Sequence, residues 1–125
     1  MPITYVIDRI LQKMTTQAVG LITFEDINHH LDGEERERAL GLPELIDARN
    51  ATTDLRPDQV HRLVRRTVDA AKRIPLGATA LVTSDDVVFG MARMYSILLD
   101  DVAPVEVFRD CETAIRWLEH PQRNV

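Results

Sequence analysis

The sequence predicts one α/β domain, a five-stranded mixed sheet flanked by helices in the order β-β-α-β-α-β-α-β-α. Short apolar runs alternate with helix-length amphipathic segments, the pattern of a largely parallel sheet joined by right-handed crossovers. The first two extended segments have no helix between them, so they pair antiparallel and make the sheet mixed. The chain has 125 residues, 45% apolar and 28% charged, enough to bury one core.

Ile3, Tyr5 and Ile7 alternate with Thr4, Val6 and Asp8, which is the period of a strand. Ile10 to Val19 is rich in β-branched and alternating residues and predicts a second strand, paired with the first across Asp8-Arg9, the pairing ended by Gly20. Thr23-Phe24-Glu25-Asp26 is a capped helix start, with Thr23 as N-cap and acids in the first turn. The Asp32-Gly33 pair predicts a break, with EERERALGL a second helical piece ending near Gly41. Leu45 to Ala48 reads as a short buried strand, and Asn50 to Asp54 as a loop by composition.

Pro57 suits the first turn of the next helix, whose stripe is Val60, Leu63, Val64, Thr67, Val68 and Ala71. Pro75 ends it. Gly77 to Leu99 then forms the centre of the chain: a strand at Leu81-Val82, a capping Ser84-Asp85-Asp86, and a helix with Val87, Val88, Met91, Met94, Tyr95, Leu98 and Leu99 turned inward. Such junctions leave free amides and the positive helix end at the carboxyl edge of a sheet, where ligands of α/β proteins bind. Val105 to Phe108 alternates as a last strand, and Asp110 begins a final helix that turns Ala114, Ile115 and Leu118 inward.

The net charge of −5 argues against a general nucleic-acid binder, which needs a basic footprint. Cys111 is the single cysteine, so no intrachain disulfide forms. The start, MPITYVIDR, carries charges too early for a signal peptide, and no run approaches the roughly 20 apolar residues that span a bilayer. A cytoplasmic location and a single domain over residues 1–125 are expected.

Five residues of the central helix are candidates for ligand or partner binding. Ser84 and Asp85 stand at its start, where capping is the plain alternative. Gly90 costs the helix roughly 1 kcal/mol relative to alanine, which points to close approach by backbone, a neighbouring chain or a ligand. Phe89, Arg93 and Ser96 share the side opposite the apolar stripe and put an aromatic beside a cation. Arg62, Arg65, Arg66, Lys72 and Arg73 form a basic helix face. His29 and His30 diverge by about 100° on a helix, and with Asp26 they make only a loose metal constellation that neither His61 nor His120 completes. No metal and no cofactor are expected. A phosphate loop, a nucleophile elbow and paired catalytic carboxylates are not recognisable, so enzymatic activity is not expected.

Four stretches in this order resemble the SpoIIAA-like family, relatives of the STAS domain of bacterial anti-sigma-factor antagonists. They are the Gly20, Thr23, Glu25, Asp26 helix entry, the strand end Leu45 to Arg49, the run Ser84 to Met94, and the closing Val107 to Leu118. The resemblance implies a mixed sheet flanked by helices in a family not known as enzymes, some members of which are similar to the lipid-binding CRAL-TRIO fold. STAS antagonists are switched by phosphorylation of a serine in an Asp-Ser-Ser-Gly-like turn. Here that turn is Asp54-Leu55-Arg56-Pro57, with Thr52 and Thr53 only upstream, so the switch is not carried over.

The function expected is that of a non-catalytic binding module, a small regulatory or protein-interaction domain. The alternative is a carrier or sensor of a small apolar or lipid-like ligand, held on the Met91, Met94, Tyr95 and Leu98 side. The partners this implies are a protein, a small apolar molecule or a second copy in a homodimer, with neither nucleic acid nor a stably inserted membrane among them. A cavity of several hundred Å³ under the central helix distinguishes the carrier from the interaction module.

Overall fold

In the computed structural model, which describes residues 2–121, the elements follow the expected order. They are β1 (Ile3–Asp8), β2 (Lys13–Ile22), α1 (Phe24–Arg36), β3 (Glu44–Thr53), α2 (Pro57–Ala71), β4 (Thr79–Thr83), α3 (Asp86–Leu98), β5 (Val105–Phe108) and α4 (Cys111–Glu119). Met1 and residues 122–125, the two ends of the expected domain, lie outside the described residues. The strands lie side by side in chain order, β1 antiparallel to β2 and the rest parallel. Each right-handed crossover therefore steps one strand in the same direction, which puts α1, α2 and α3 on one face. Only α4 covers the other face, where Ala114 packs on Ala80 and Val82.

The helix starts are built as the sequence implies. Thr23 Oγ1 accepts the Asp26 amide at 3.2 Å while Asp26 Oδ2 accepts the Thr23 amide at 2.9 Å, a reciprocal capping box. Asp85 caps α3 through the Val88 amide at 3.0 Å, and Asp110 caps α4 through the Thr113 amide at 2.9 Å. Pro57 occupies the first turn of α2.

Several local expectations are corrected. The hairpin turns over Arg9 to Gln12, and Asp8 Oδ1 accepts the amides of Ile10 and Leu11. The second strand therefore begins at Lys13, and Ile10 lies exposed at the tip. The pairing of β2 with β1 does end before Gly20, at Ala18, and β2 then continues to Ile22 against β3. Helix α1 continues through Asp32 and Gly33 to Arg36. A Cβ at Gly33 would sit 3.1 Å from the Tyr5 hydroxyl, so this glycine makes room for Tyr5 to cross α1 and reach Glu37 at 2.8 Å.

β3 continues through Asn50-Ala51-Thr52-Thr53, residues whose composition reads as loop. A register shift sets Gln17 opposite Asp47 but Val19 opposite Asn50, so β3 carries an extra residue there. The bulge reverses the alternation, and both Ala48 and Ala51 face the helices.

On α3 the inward face is centred on Val88, Tyr95 and Leu99. Val87 and Leu98, expected inside, are exposed. Ser96, expected outside, is buried and donates to the Val105 carbonyl of β5. The helix thus presents Ser96 to β5 and leaves Val87 and Leu98 to the outside.

Candidate functional site

Between the sheet and the three-helix layer lies a cavity of about 230 Å³. Its floor is Ala18, Ile46, Ala48 and Ala51 of the sheet, and its roof includes Ile27 of α1, Leu63 of α2 and Met91 and Tyr95 of α3. The alanines leave the space: at these floor positions a larger side chain would fill it. Tyr95 closes one side. Thr67 donates to the Leu63 carbonyl at 2.9 Å, so its single hydroxyl proton is committed and Tyr95 must be the donor in their 2.7 Å contact. Burial pushes the Tyr95 phenol up to about 12, so it stays protonated for that role.

One end of the cavity is polar. His30 and Glu34 lie one turn apart on α1, hence on one face, and Glu44 enters from the first residue of β3. His30 Nε2 is 2.9 Å from Glu34 Oε1 and 2.9 Å from Glu44 Oε2. The Thr16 hydroxyl of β2 donates to Glu44 at 2.5 Å, and the Tyr5 ring meets His30 edge-on with centroids 5.5 Å apart. All three side chains are over nine-tenths buried, at 7%, 8% and 6% exposure.

Burial pushes the His30 imidazole down, but hydrogen bonds and charges from Glu34 and Glu44 outweigh it and hold it up at about 9. Burial also pushes the Glu34 carboxyl well up, with Glu44 adding to the effect and His30 opposing it. His30 Nδ1 is buried with no hydrogen-bond partner among the described residues. His30 also lines a shallow cleft on the outer side with Tyr5, His29 and Arg36, so it stands in the wall between the cleft and the cavity.

The candidates on the central helix lie elsewhere. Ser84 is exposed, Asp85 is the N-cap, and Asp86 pairs with Arg109 at 2.8 Å. Phe89 lies beneath the Arg109 guanidinium at 4.2 Å, and Arg93 pairs with Glu106 at 2.9 Å. The Phe89 ring is thus partnered by Arg109 of the loop after β5, and Arg93 is turned to β5. Outside its own helical turn, no atom of the described residues comes within 4 Å of a Cβ built on Gly90, which corrects the expectation of a close approach by the chain's own backbone.

The basic face of α2 is partly drawn inward. Arg66 binds the Asn28 side chain at 2.9 Å and Asp32 at 2.6 Å, tying α2 to α1, and Arg62 lies over Phe24. His29 is exposed and does not join His30. Thr53, expected in a loop, donates to the Ile22 carbonyl within the sheet at 2.7 Å.

The constellation that sequence reasoning missed is His30, Glu34 and Glu44. Its signal was the His-x-x-x-Glu spacing, which becomes a pair only if the helix survives Gly33. No helix among the described residues is long and apolar enough to cross a membrane.

No family model matches the sequence, and no curated protein does. Among solved structures the chain is similar to the crystal structure of an uncharacterized protein of the DUF3478 family with a SpoIIAA-like fold from Shewanella loihica PV-4. The TM-score is 0.58, with 19% identity over 93% of each chain. Likeness at that level is likeness of fold, and the chain has a SpoIIAA-like fold.

Proposed function

We propose that this chain is a non-catalytic binding module for a small, mainly apolar ligand held between the sheet and helices α1 to α3. The observation that supports it is the apolar cavity of about 230 Å³. An apolar cavity of about 150 Å³ holds benzene. Scaling by volume, this one takes a ligand on the order of nine non-hydrogen atoms, an aromatic or short branched compound and not a long-chain lipid. Polar groups of such a ligand belong at the His30 end, where His30, Glu34 and Glu44 line the wall.

A second function, as an interaction module, is supported by the hairpin. Val6, Ile10 and Leu11 are exposed there, on the face that α4 leaves uncovered or at the tip beyond it. A protein partner or a second copy would cover them, with Ser84, Asp85, Phe89, Gly90 and Arg93 offering a separate surface on α3.

Native mass spectrometry of protein purified from its own host tests both. A single small-molecule adduct per chain, lost in a cavity-filling variant, supports the ligand; a bare dimer or a protein complex supports interaction in its place.

A further inference from the structure

We propose that His30, Glu34 and Glu44 form a binding site for one zinc-type divalent cation at the polar end of the cavity. Each residue offers one donor atom, and the three lie within 4.8 Å of one another. In a tetrahedral zinc site with bonds near 2.0–2.2 Å the donors stand about 3.3 Å apart. The 2.9 Å separations from His30 Nε2 need to open by about 0.4 Å, and the Glu34 and Glu44 oxygens, within 4.8 Å of each other, need to close to the same spacing.

The donors stand on regular elements, and His30 Nδ1 has no hydrogen-bond partner among the described residues. Two come from one face of a helix and the third from a strand start whose amide is bound to the Ala78 carbonyl at 2.9 Å. The Thr16 hydroxyl orients the Glu44 carboxylate from the adjacent strand, and the Tyr5 ring edge fixes the imidazole plane. Charge gives the second argument. Two buried carboxylates face the single Nε2, which carries at most one proton. A dication in that proton's place meets all three donors and balances both carboxylates.

The donor set selects the ion. One imidazole nitrogen and two carboxylate oxygens without sulfur suit zinc, which is satisfied by four ligands. Magnesium and calcium prefer six or more oxygen ligands, whereas this cluster offers one nitrogen and two carboxylates. With three protein donors one position remains, and since all three residues line the cavity it is open to an anionic or neutral donor there. Binding releases the Nε2 proton to solvent as the imidazole becomes a neutral ligand.

The test is titration of chelator-treated chain with zinc sulfate in a calorimeter, with X-ray absorption on the loaded protein. The expected result is one ion per chain at about micromolar affinity or tighter, and a spectrum with a single imidazole, oxygen neighbours and no sulfur. Glu34→Gln and Glu44→Gln, which keep side-chain shape, each weaken binding by about a hundredfold or more. His29→Ala, at the exposed neighbour, leaves it unchanged, and circular dichroism checks that the variants fold.

Absence of binding at these concentrations, affinity that survives both glutamine variants, or a spectrum with two or more imidazoles overturns the proposal. The wild-type spectrum decides even if a variant fails to fold. Zinc bound by a variant whose cavity is filled separates this site from the apolar ligand, since the two then fail independently.

Discussion

Ala48→Val tests the cavity at its floor. Ala48 is buried on the central strand β3 and faces the helices between Ile46 and Ala51. If the space above it is void, valine adds two carbons that find apolar walls, worth about 0.8 kcal/mol each and so about 1.6 kcal/mol at most. A β-branched residue also suits a strand. The net gain is about 1 kcal/mol, a rise in Tm of about 3–6 °C for a domain of this size. The driving force is adequate: at about 24 cal/mol per Å³, an empty cavity of 230 Å³ costs about 5.5 kcal/mol, a large part of the total stability of a small domain. In a filled core the same substitution overpacks and destabilises by about 1–3 kcal/mol. Urea unfolding of both proteins, together with titration by a benzene-sized apolar probe, reads the sign. A gain in stability with loss of probe binding is expected; a loss of stability with probe binding unchanged refutes the reasoning.

Gly90→Ala should stabilise the protein by about 0.5–1 kcal/mol in urea unfolding, because the position is helical, exposed and open to a Cβ. Gly77→Ala should do the opposite, by more than about 2 kcal/mol, since its Cβ would lie against the Leu42 carbonyl backbone, which cannot swing aside. Tyr95→Phe removes the proton donated to Thr67, but Thr67 keeps its own bond to Leu63, so the loss should be about 1 kcal/mol by the same assay. Asp85→Ala should lower stability by about 1 kcal/mol, through the Val88 amide that it leaves uncapped.

The order of elements was legible because hydrophobic period and capping residues are local. Thr23, Asp85 and Asp110 each cap the helix that the sequence assigns them. What escaped was decided by partners distant in sequence. Gly33 looks like a break until Tyr5, folded back from β1, is seen to need its space. Asn50 to Thr53 look like loop because their polar side chains say nothing of the two neighbouring strands that hold them, and the bulge hides their alternation. The first of these errors, together with a late start to β3, concealed the site. Breaking α1 at Gly33 separates His30 from Glu34, and starting β3 at Leu45 leaves Glu44 outside the sheet that delivers it. Phe89 and Arg93 do share a side of α3, but their distant partners Arg109 and Glu106 could not be read from helical spacing. A cavity is a difference of volumes across the fold, and alanine at positions 18, 48 and 51 reads as ordinary core until the helices above are placed.

Xenon bound to a crystal of this chain under pressure measures most directly whether the apolar space exists, since the gas enters dry cavities and scatters strongly. The account predicts a xenon peak between Ala48, Ile27 and Tyr95, with side chains unmoved. A crystal without that peak, in which Met91 or Leu63 fills the space above Ala48, would contradict it.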